Sequence, residues 1–562
     1  MIEFTFYLIF TFLISRYIYG EALFDRAFSS YRLYGGFMLL SRFVPFCVAV
    51  AITSSFAVLD LPNAQPKVDA AYWNAALDST WQGLIRRNIE PYSAGKGLIH
   101  RPKSESPGDA VSEGVGYGML VALYADDQAS FNKMWDEANS SMWGQCYYNW
   151  QMSAEGKIVG MGAASDAEED VALALIFADK LVSSGKWESY TSKKFGYDYK
   201  THAQKILDCM WSSKQITSNG ILAPGAGWGG NEFVNPGYFS PAWYKIFAKF
   251  DSNGERWNQV VDKSYEIISK SPGYNNGMVP DWMTPEGGWV GSRGLGYNAY
   301  FESRGFYKDA IRILWRVAID AIWFDEERAK AFLKNSLAFI NSKGGPEAAN
   351  FYQIEKAGEL LPAEDKWKEF NNSKDTSTWR YRREHSHLTI GMWATAAMAV
   401  GEKADRIAFS EEMGKFYEGR DYFGLAKDES PALEDTLHNE MYFDQFLAWF
   451  GTSMMSGAFV NVIDAIDNPK AATVGDSSSL TPALRIAERR FAGAGLKISH
   501  LDGVVKMSVP DEARWSVFNL NGHLVAESSG KNFAWNAKEQ SGIYVVRAVT
   551  RKQVYSRKIS VR

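Results

Sequence analysis

Cysteine is scarce in this chain. Three occur in 562 residues, Cys47, Cys146 and Cys209. That excludes a disulfide framework, and their spacing matches no zinc motif. Histidine is equally sparse, with seven scattered copies. The nearest pair, His385 and His387, has no carboxylate motif around it, so the reading is no metal site and no cofactor. Neither standard glycine-rich phosphate loop is present. Basic charge is not in excess: 60 Lys and Arg stand against 65 Asp and Glu, for a net charge of -5. Nucleic-acid binders carry clustered basic charge, so no nucleic-acid partner is expected. The two amino-terminal apolar stretches, 4–14 and 43–58, are shorter than the roughly 20 residues of a spanning helix.

Apolar and aromatic residues are plentiful. Hydrophobic residues make up 46% of the chain and aromatic ones 15%, including 20 Trp and 28 Tyr. The length suits one large domain plus a small one. Two readings of the aromatic excess stand side by side. One is a large aromatic core. The other is a cleft lined with flat rings, whose faces suit the apolar C–H faces of sugars.

The first 57 residues read as an upstream extension and a signal peptide. The apolar run Val44–Ile52 follows Arg42 and ends near Ser55-Phe56-Ala57, a small-residue cleavage pattern. Met38 is then the expected start, and a membrane anchor is the alternative. Any membrane association would run through this segment alone. Cys47 follows Val44-Pro45-Phe46, a poor lipoprotein site. If cleavage falls at Ala57, Cys146 and Cys209 remain. They could pair in an oxidising compartment, but sequence does not show them to be close.

Residues 58–465 read as one mostly helical domain. Apolar positions recur at three- and four-residue steps in 117–124, 171–181, 240–250, 311–324, 388–399 and 443–454. About a dozen helices are expected, separated by loops rich in Gly, Trp, Asn and Pro. Such a pattern suggests a closed helical barrel with a groove at one end. Residues 466–482, with Asp467-Asn468-Pro469 and Gly475-Asp476-Ser477-Ser478-Ser479, have linker composition. Residues 483–562 alternate. Arg514–Leu520, the Asn521-Gly522 turn and the strand 542–549 predict a small all-β sandwich, similar to modules used for sorting or attachment.

Three acidic segments stand out among the 65 acids. Ser112-Glu113-Gly114-Val115-Gly116-Tyr117-Gly118 places Glu113 where a loop enters a helix. Its glycines oppose helix propensity, so something other than propensity requires them. Ala163-Ala164-Ser165-Asp166-Ala167-Glu168-Glu169-Asp170 concentrates four acids at a helix start. Ser165 or Asp166 could cap that helix, and Ser165 with Glu168 has capping-box spacing. Phe306-Tyr307-Lys308-Asp309-Ala310-Ile311-Arg312 puts Asp309 three residues before Arg312, on one helix face if the segment is helical. Glycoside hydrolysis needs two carboxyl groups, one to protonate the leaving oxygen and one to activate water or attack.

In this order the three segments resemble glycoside hydrolase family 8. Further matches are Asn235-Pro236-Gly237-Tyr238-Phe239-Ser240-Pro241, Val279-Pro280-Asp281-Trp282, and Tyr442-Phe443-Asp444 followed by Ser456-Gly457. The resemblance covers roughly residues 70–460. It implies an all-α (α/α)6 barrel and inverting action on xylan, cellulose, mixed-linkage glucan or chitosan. Glu113 would be the general acid and Asp309 the general base. Asp166 would hold and distort the sugar at the cleavage point, and Arg312 would orient Asp309. Trp150, Trp228 and Tyr238 would contact sugars nearby. Ala167 replaces the usual Gly, Asp170 stands where an aromatic is common, and Gly237 replaces a common Ser.

The Glu168-Glu169 pair resembles the branch with xylanases and reducing-end xylose-releasing enzymes. The expectation is therefore a secreted or cell-surface bacterial endo-1,4-β-xylanase that acts as a monomer on a polysaccharide. An endo-β-1,4-glucanase or a reducing-end exo-oligoxylanase is the alternative. A non-catalytic carbohydrate-binding protein and a polysaccharide lyase are the rivals from other classes. A lyase needs a Tyr or His base, whereas these motifs supply carboxylates.

Overall fold

The computed structural model describes residues 58–102, 108–290, 304–354, 359–361, 385–417, 419–424 and 442–469, and the strands of 497–561. The signal-peptide segment with Cys47, most of the linker and the Asn521-Gly522 turn lie outside the described residues.

Six helices are buried on nearly every side: α2 Ser112–Tyr124, α4 Ser165–Ser183, α6 Pro241–Phe250, α8 Arg312–Phe324, α10 His387–Val400 and α12 Tyr442–Ser456. A second set alternates with them: α1 Ala70–Leu84, α3 Gln128–Ser141, α5 Tyr199–Ser212, α7 Glu255–Ser269, α9 Glu327–Ser342 and α11 Lys403–Gly414. These bury one stripe only. In α7 it is Trp257, Val260, Val261, Ser264, Tyr265, Ile267 and Ile268, the repeat of a helix with one face to solvent.

Each buried helix packs against one striped helix: α2 with α3, α4 with α5, α6 with α7, α8 with α9, α10 with α11, and α12 with α1. The buried helices also pack on one another in chain order from α2 to α12. The ring closes where Tyr117 of α2 meets Phe446 and Phe450 of α12, at ring distances of 5.7 and 5.2 Å. Among the described residues this is a barrel of six inner and six outer helices. A short helix, α13 Val462–Asp467, follows. No helix of the described residues is long and apolar enough to cross a membrane.

The six windows of apolar periodicity fall on the six inner helices. Glycine sets how closely two of them approach. A Cβ on Gly116 would lie 2.9 Å from the Asp170 Cβ and 3.3 Å from the Ala167 carbonyl oxygen. Gly116 thus lets α2 lie directly on α4, while Gly114 faces Ile99 and Gly118 faces Met134 and Ile99. Cys146, in the loop after α3, is joined to Cys209 of α5 by a disulfide, with the Cα atoms 5.4 Å apart.

Short strands border the barrel. β1 Ala110–Val111 pairs with β2 Gln151–Met152, which pairs with β3 Ile158–Gly160. β4 Gly305–Phe306 pairs with β5 Tyr352–Gln353. The carboxy-terminal region is antiparallel: β6 Lys497–Leu501, β7 Val504–Asn519, β8 Leu524–Asn536, β9 Gly542–Thr550 and β10 Val554–Val561 form one five-stranded sheet. β7 is shared, pairing with β6 along its first part, β9 along its second and β8 along both. Val505, Met507, Trp515, Val517, Val546 and Ala548 are among the buried residues of a separate small core.

Candidate active site

The three acidic segments converge at the amino-terminal ends of inner helices. Glu113 lies in the first turn of α2 and Asp166 in the first turn of α4. Arg312 begins α8. Asp309 is in the turn just before α8, not on it, so the shared helix face is corrected. The three-residue spacing still forms the ion pair, because the turn leads directly into the helix.

One guanidinium joins all three acids. Arg312 Nη1 donates to Glu113 Oε2 at 2.7 Å, to Asp166 Oδ2 at 2.9 Å and to the Tyr117 hydroxyl at 3.1 Å. Its Nη2 faces Asp309 Oδ1 at 3.1 Å. That contact is an ion pair without an aligned hydrogen bond. Sequence reasoning gave Arg312 to Asp309 alone. The tertiary fold gives it two further carboxylates from other helices, which chain spacing could not show. The guanidinium also lies over the Tyr238 ring at 4.8 Å and the Phe443 ring at 5.6 Å, where cation–π attraction holds it flat.

The capping reading of 165–170 does not hold. The residue before α4 is Ala164, and no side chain caps the helix. Asp166 Oδ1 instead accepts the adjacent Ala167 N–H at 3.1 Å, while its other oxygen meets Arg312. Burial, opposed by Arg312 and aided by Glu113, pushes the Asp166 carboxyl up to about 7. Burial also pushes Glu168 up to about 8. Its Oε1 accepts the Tyr148 N–H at 2.9 Å and its Oε2 has no hydrogen-bond partner, as suits a neutral carboxyl.

Asp309 sits in a cradle. Asn235 Nδ2 donates to its Oδ2 at 3.0 Å, while Asn235 Oδ1 accepts the Gly237 N–H at 3.0 Å. A Cβ on Gly237 would lie 2.0 Å from the Asp309 carbonyl oxygen. Asp281 Oδ1 accepts the Ala310 N–H at 2.8 Å. Arg312 Nε donates to the Asp309 carbonyl at 3.1 Å. The segments 235–241 and 279–282 supply these contacts through Asn235, Gly237 and Asp281. They fix the turn that carries the proposed base.

Tyr442, at the start of α12, donates its hydroxyl to Glu113 Oε1. Its position 329 residues from Glu113 left no local signal.

Trp150 and Trp228 are 40% and 42% exposed, unusual for indoles. The Trp150 carbonyl accepts the Ser112 N–H, beside Glu113, at 3.0 Å. Its indole lies against Gly160, where a Cβ would come within 2.3 Å. Trp228 packs edge-on against Phe233 and Trp282, and its loop reaches α4 through the Ser165 N–H to Pro224 carbonyl bond at 3.1 Å. Two exposed indoles therefore stand on segments hydrogen-bonded to the first turns of α2 and α4. Among the described residues no group of three His, Cys, Asp or Glu is arranged to hold a metal ion.

Residues 89–358 match the family model of glycosyl hydrolases family 8. That stretch holds Glu113, Asp166, Asp309 and Arg312 but not Tyr442. Endoglucanase 2 of Ruminiclostridium josui is 35% identical over 285 residues, 50% of this chain and 58% of its own length. Endoglucanase A of Acetivibrio thermocellus is 34% identical over 287 residues, 50% of this chain and 56% of its own length. The chain thus spans between half and three fifths of these two relatives. The solved structure of Rex8A from Paenibacillus barcinonensis, complexed with xylose, shares the fold. Its TM-score is 0.55 at 22% identity, covering 71% of this chain and 97% of that one.

Proposed function

We propose that this chain, whose residues 89–358 match the model of glycosyl hydrolases family 8, hydrolyses β-1,4-linked glycans by single displacement with inversion. The observation that carries the reading is the one buried guanidinium that gathers Glu113, Asp166 and Asp309 from three separate segments. In this reading Glu113 gives its proton to the leaving glycosidic oxygen. Asp309 accepts a proton from the water that attacks the opposite face of the sugar. Asp166 binds the sugar at the cleavage point, and Trp150, Trp228 and Tyr238 contact the chain of sugars around it.

Inversion needs room for a water between acid and base, with carboxyls roughly 6.5–9.5 Å apart. The planar guanidinium and its two contact distances bound the nearest oxygens of Glu113 and Asp309 to about 8 Å or less. That bound admits such a water.

Glucan is the first substrate to test. The Glu168-Glu169 pair favours xylan, but the relatives at 34–35% identity are named endoglucanases. A reducing-end xylose-releasing exo-oligoxylanase of Paenibacillus barcinonensis is 26% identical over 275 residues, which keeps xylan as the second reading. Secretion is supported by the Cys146–Cys209 disulfide, since such bonds persist in oxidising compartments. The carboxy-terminal strands, one five-stranded sheet with its own small core, fit a module used for sorting or attachment. Product analysis on glucan, xylan and chitosan, with the anomeric configuration followed by NMR, tests the whole reading. Retention at the anomeric carbon, or no hydrolysis of any β-1,4-glycan, refutes it.

A further inference from the structure

The Arg312–Asp166 contact is repeated one helical turn deeper. Arg316 follows Arg312 by four residues on α8, and Asp170 follows Asp166 by four on α4, so each pair shares a helix face. Arg316 binds Asp170 through two parallel hydrogen bonds, Nη1 to Oδ1 at 2.8 Å and Nη2 to Oδ2 at 2.9 Å. Both side chains are buried, at 0% and 1% exposure, one turn further from the helix ends than Arg312 and Asp166. The Trp243 indole N–H donates to Asp170 Oδ1 at 2.7 Å. Arg316 also donates to Ser240 Oγ, which in turn donates to Glu169 at 2.6 Å. Ser240 lies two residues beyond Tyr238, whose ring faces the Arg312 guanidinium. This deeper layer therefore grips α4, α8 and the 235–240 loop, three of the elements that carry the layer above.

We propose that Arg316 and Asp170 are positioning residues for the hydrolysis, setting the rotation and register of α4 against α8 and so the place of Asp166 and Arg312. The inference rests on the hydrolase reading of the upper layer. Apolar ridges between helices tolerate small slides, whereas a bidentate guanidinium–carboxylate pair fixes distance and plane together. A buried ion pair is weak evidence for stability, because well-packed apolar side chains of similar volume commonly replace it at no loss. Its value here is geometric.

That distinction supplies the test. Arg316→Met with Asp170→Leu removes both charges of the bidentate pair and nearly preserves volume, while Glu169, 3.3 Å from Arg316 Nη1, keeps its hydrogen bonds from Ser240 and Tyr244. The double variant's kcat on the glycan that the parent hydrolyses drops about 10²-fold if the reacting groups move by about 1 Å, with KM changed less than about twofold. A melting curve like the parent's together with an unchanged kcat overturns the proposal. A second variant stands should the double fail to fold. Asp170→Asn keeps the shape but replaces one of the two oxygens that Arg316 grips by an amide, so kcat falls by about tenfold or more with KM changed little. A folded Asp170→Asn protein with the parent's kcat overturns the proposal. Parent protein with no activity on any glycan refutes the hydrolase reading instead. The deeper layer is then judged by the crystal structure of the double variant, where an Arg312–Asp166 contact still at 2.9 Å overturns it.

Discussion

Adding one methyl group at Gly237 tests the cradle around Asp309. The Cβ of alanine would stand 2.0 Å from the Asp309 carbonyl oxygen, where real contacts of this kind begin at 3.0 Å. The 235–238 loop and the Asp309 turn must therefore part by about 1 Å. The turn cannot simply yield. Asp281 holds its Ala310 N–H, and Arg312 Nε holds the Asp309 carbonyl. If the loop moves instead, Asn235 carries its amide away from Asp309 Oδ2. Either way the proposed base shifts relative to Glu113. A misplacement of about 1 Å costs on the order of 10² in rate, and overpacking costs about 1–3 kcal/mol in stability. The assay is kcat and KM of Gly237→Ala beside the parent, at a temperature where circular dichroism shows both folded. The expected result is a kcat lower by about 10²-fold with KM changed little. A folded Gly237→Ala protein with the parent's kcat would show that the cradle does not position the base.

Other outcomes follow from the same geometry. Glu113→Gln should abolish turnover while leaving oligosaccharide binding nearly intact by calorimetry; normal activity in that variant removes Glu113 as the acid. Replacing Cys146 and Cys209 by serine opens a loop of 63 residues, and chain entropy sets the loss near 4 kcal/mol, measurable by denaturant unfolding with and without reductant. Glu168 gives a pH signature. Its folded value of about 8 lies above its ordinary 4.5, so the folded state keeps a proton that the unfolded chain loses. Its contribution to stability is full below about 4.5 and is lost as pH rises through about 8. Glu168→Gln cannot ionise, so its unfolding midpoint should fall less between about pH 5 and 9 than the parent's, by the equivalent of a few kcal/mol. Equal slopes in the two proteins would contradict the buried neutral carboxyl.

Much of the barrel was legible because its inner helices are apolar on nearly every side, and such segments advertise themselves without partners. The windows 171–181 and 388–399 are of this kind. Glu113, Asp166 and Asp309 were legible through motif order, since each lies in a short segment of distinctive composition. The capping of 165–170 was misread because Ser, Asp and Glu at a helix start have a local use as well as a distant one. The choice between them depends on what faces the helix end. Here Arg312, 146 residues away, takes the Asp166 oxygen that a cap would have used.

By itself the sequence determined which residues carry acid–base capacity and which segments are helical. Composition and spacing act locally, and a chain's local preferences are already present in its order. Only the tertiary structure decided which charges meet. Arg312 became the partner of three acids rather than one, Tyr442 reached Glu113, Gly237 closed on Asp309, and Cys146 met Cys209. Each of these joins residues whose separation along the chain carries no information about their separation in space, because barrel closure, not local propensity, sets that distance.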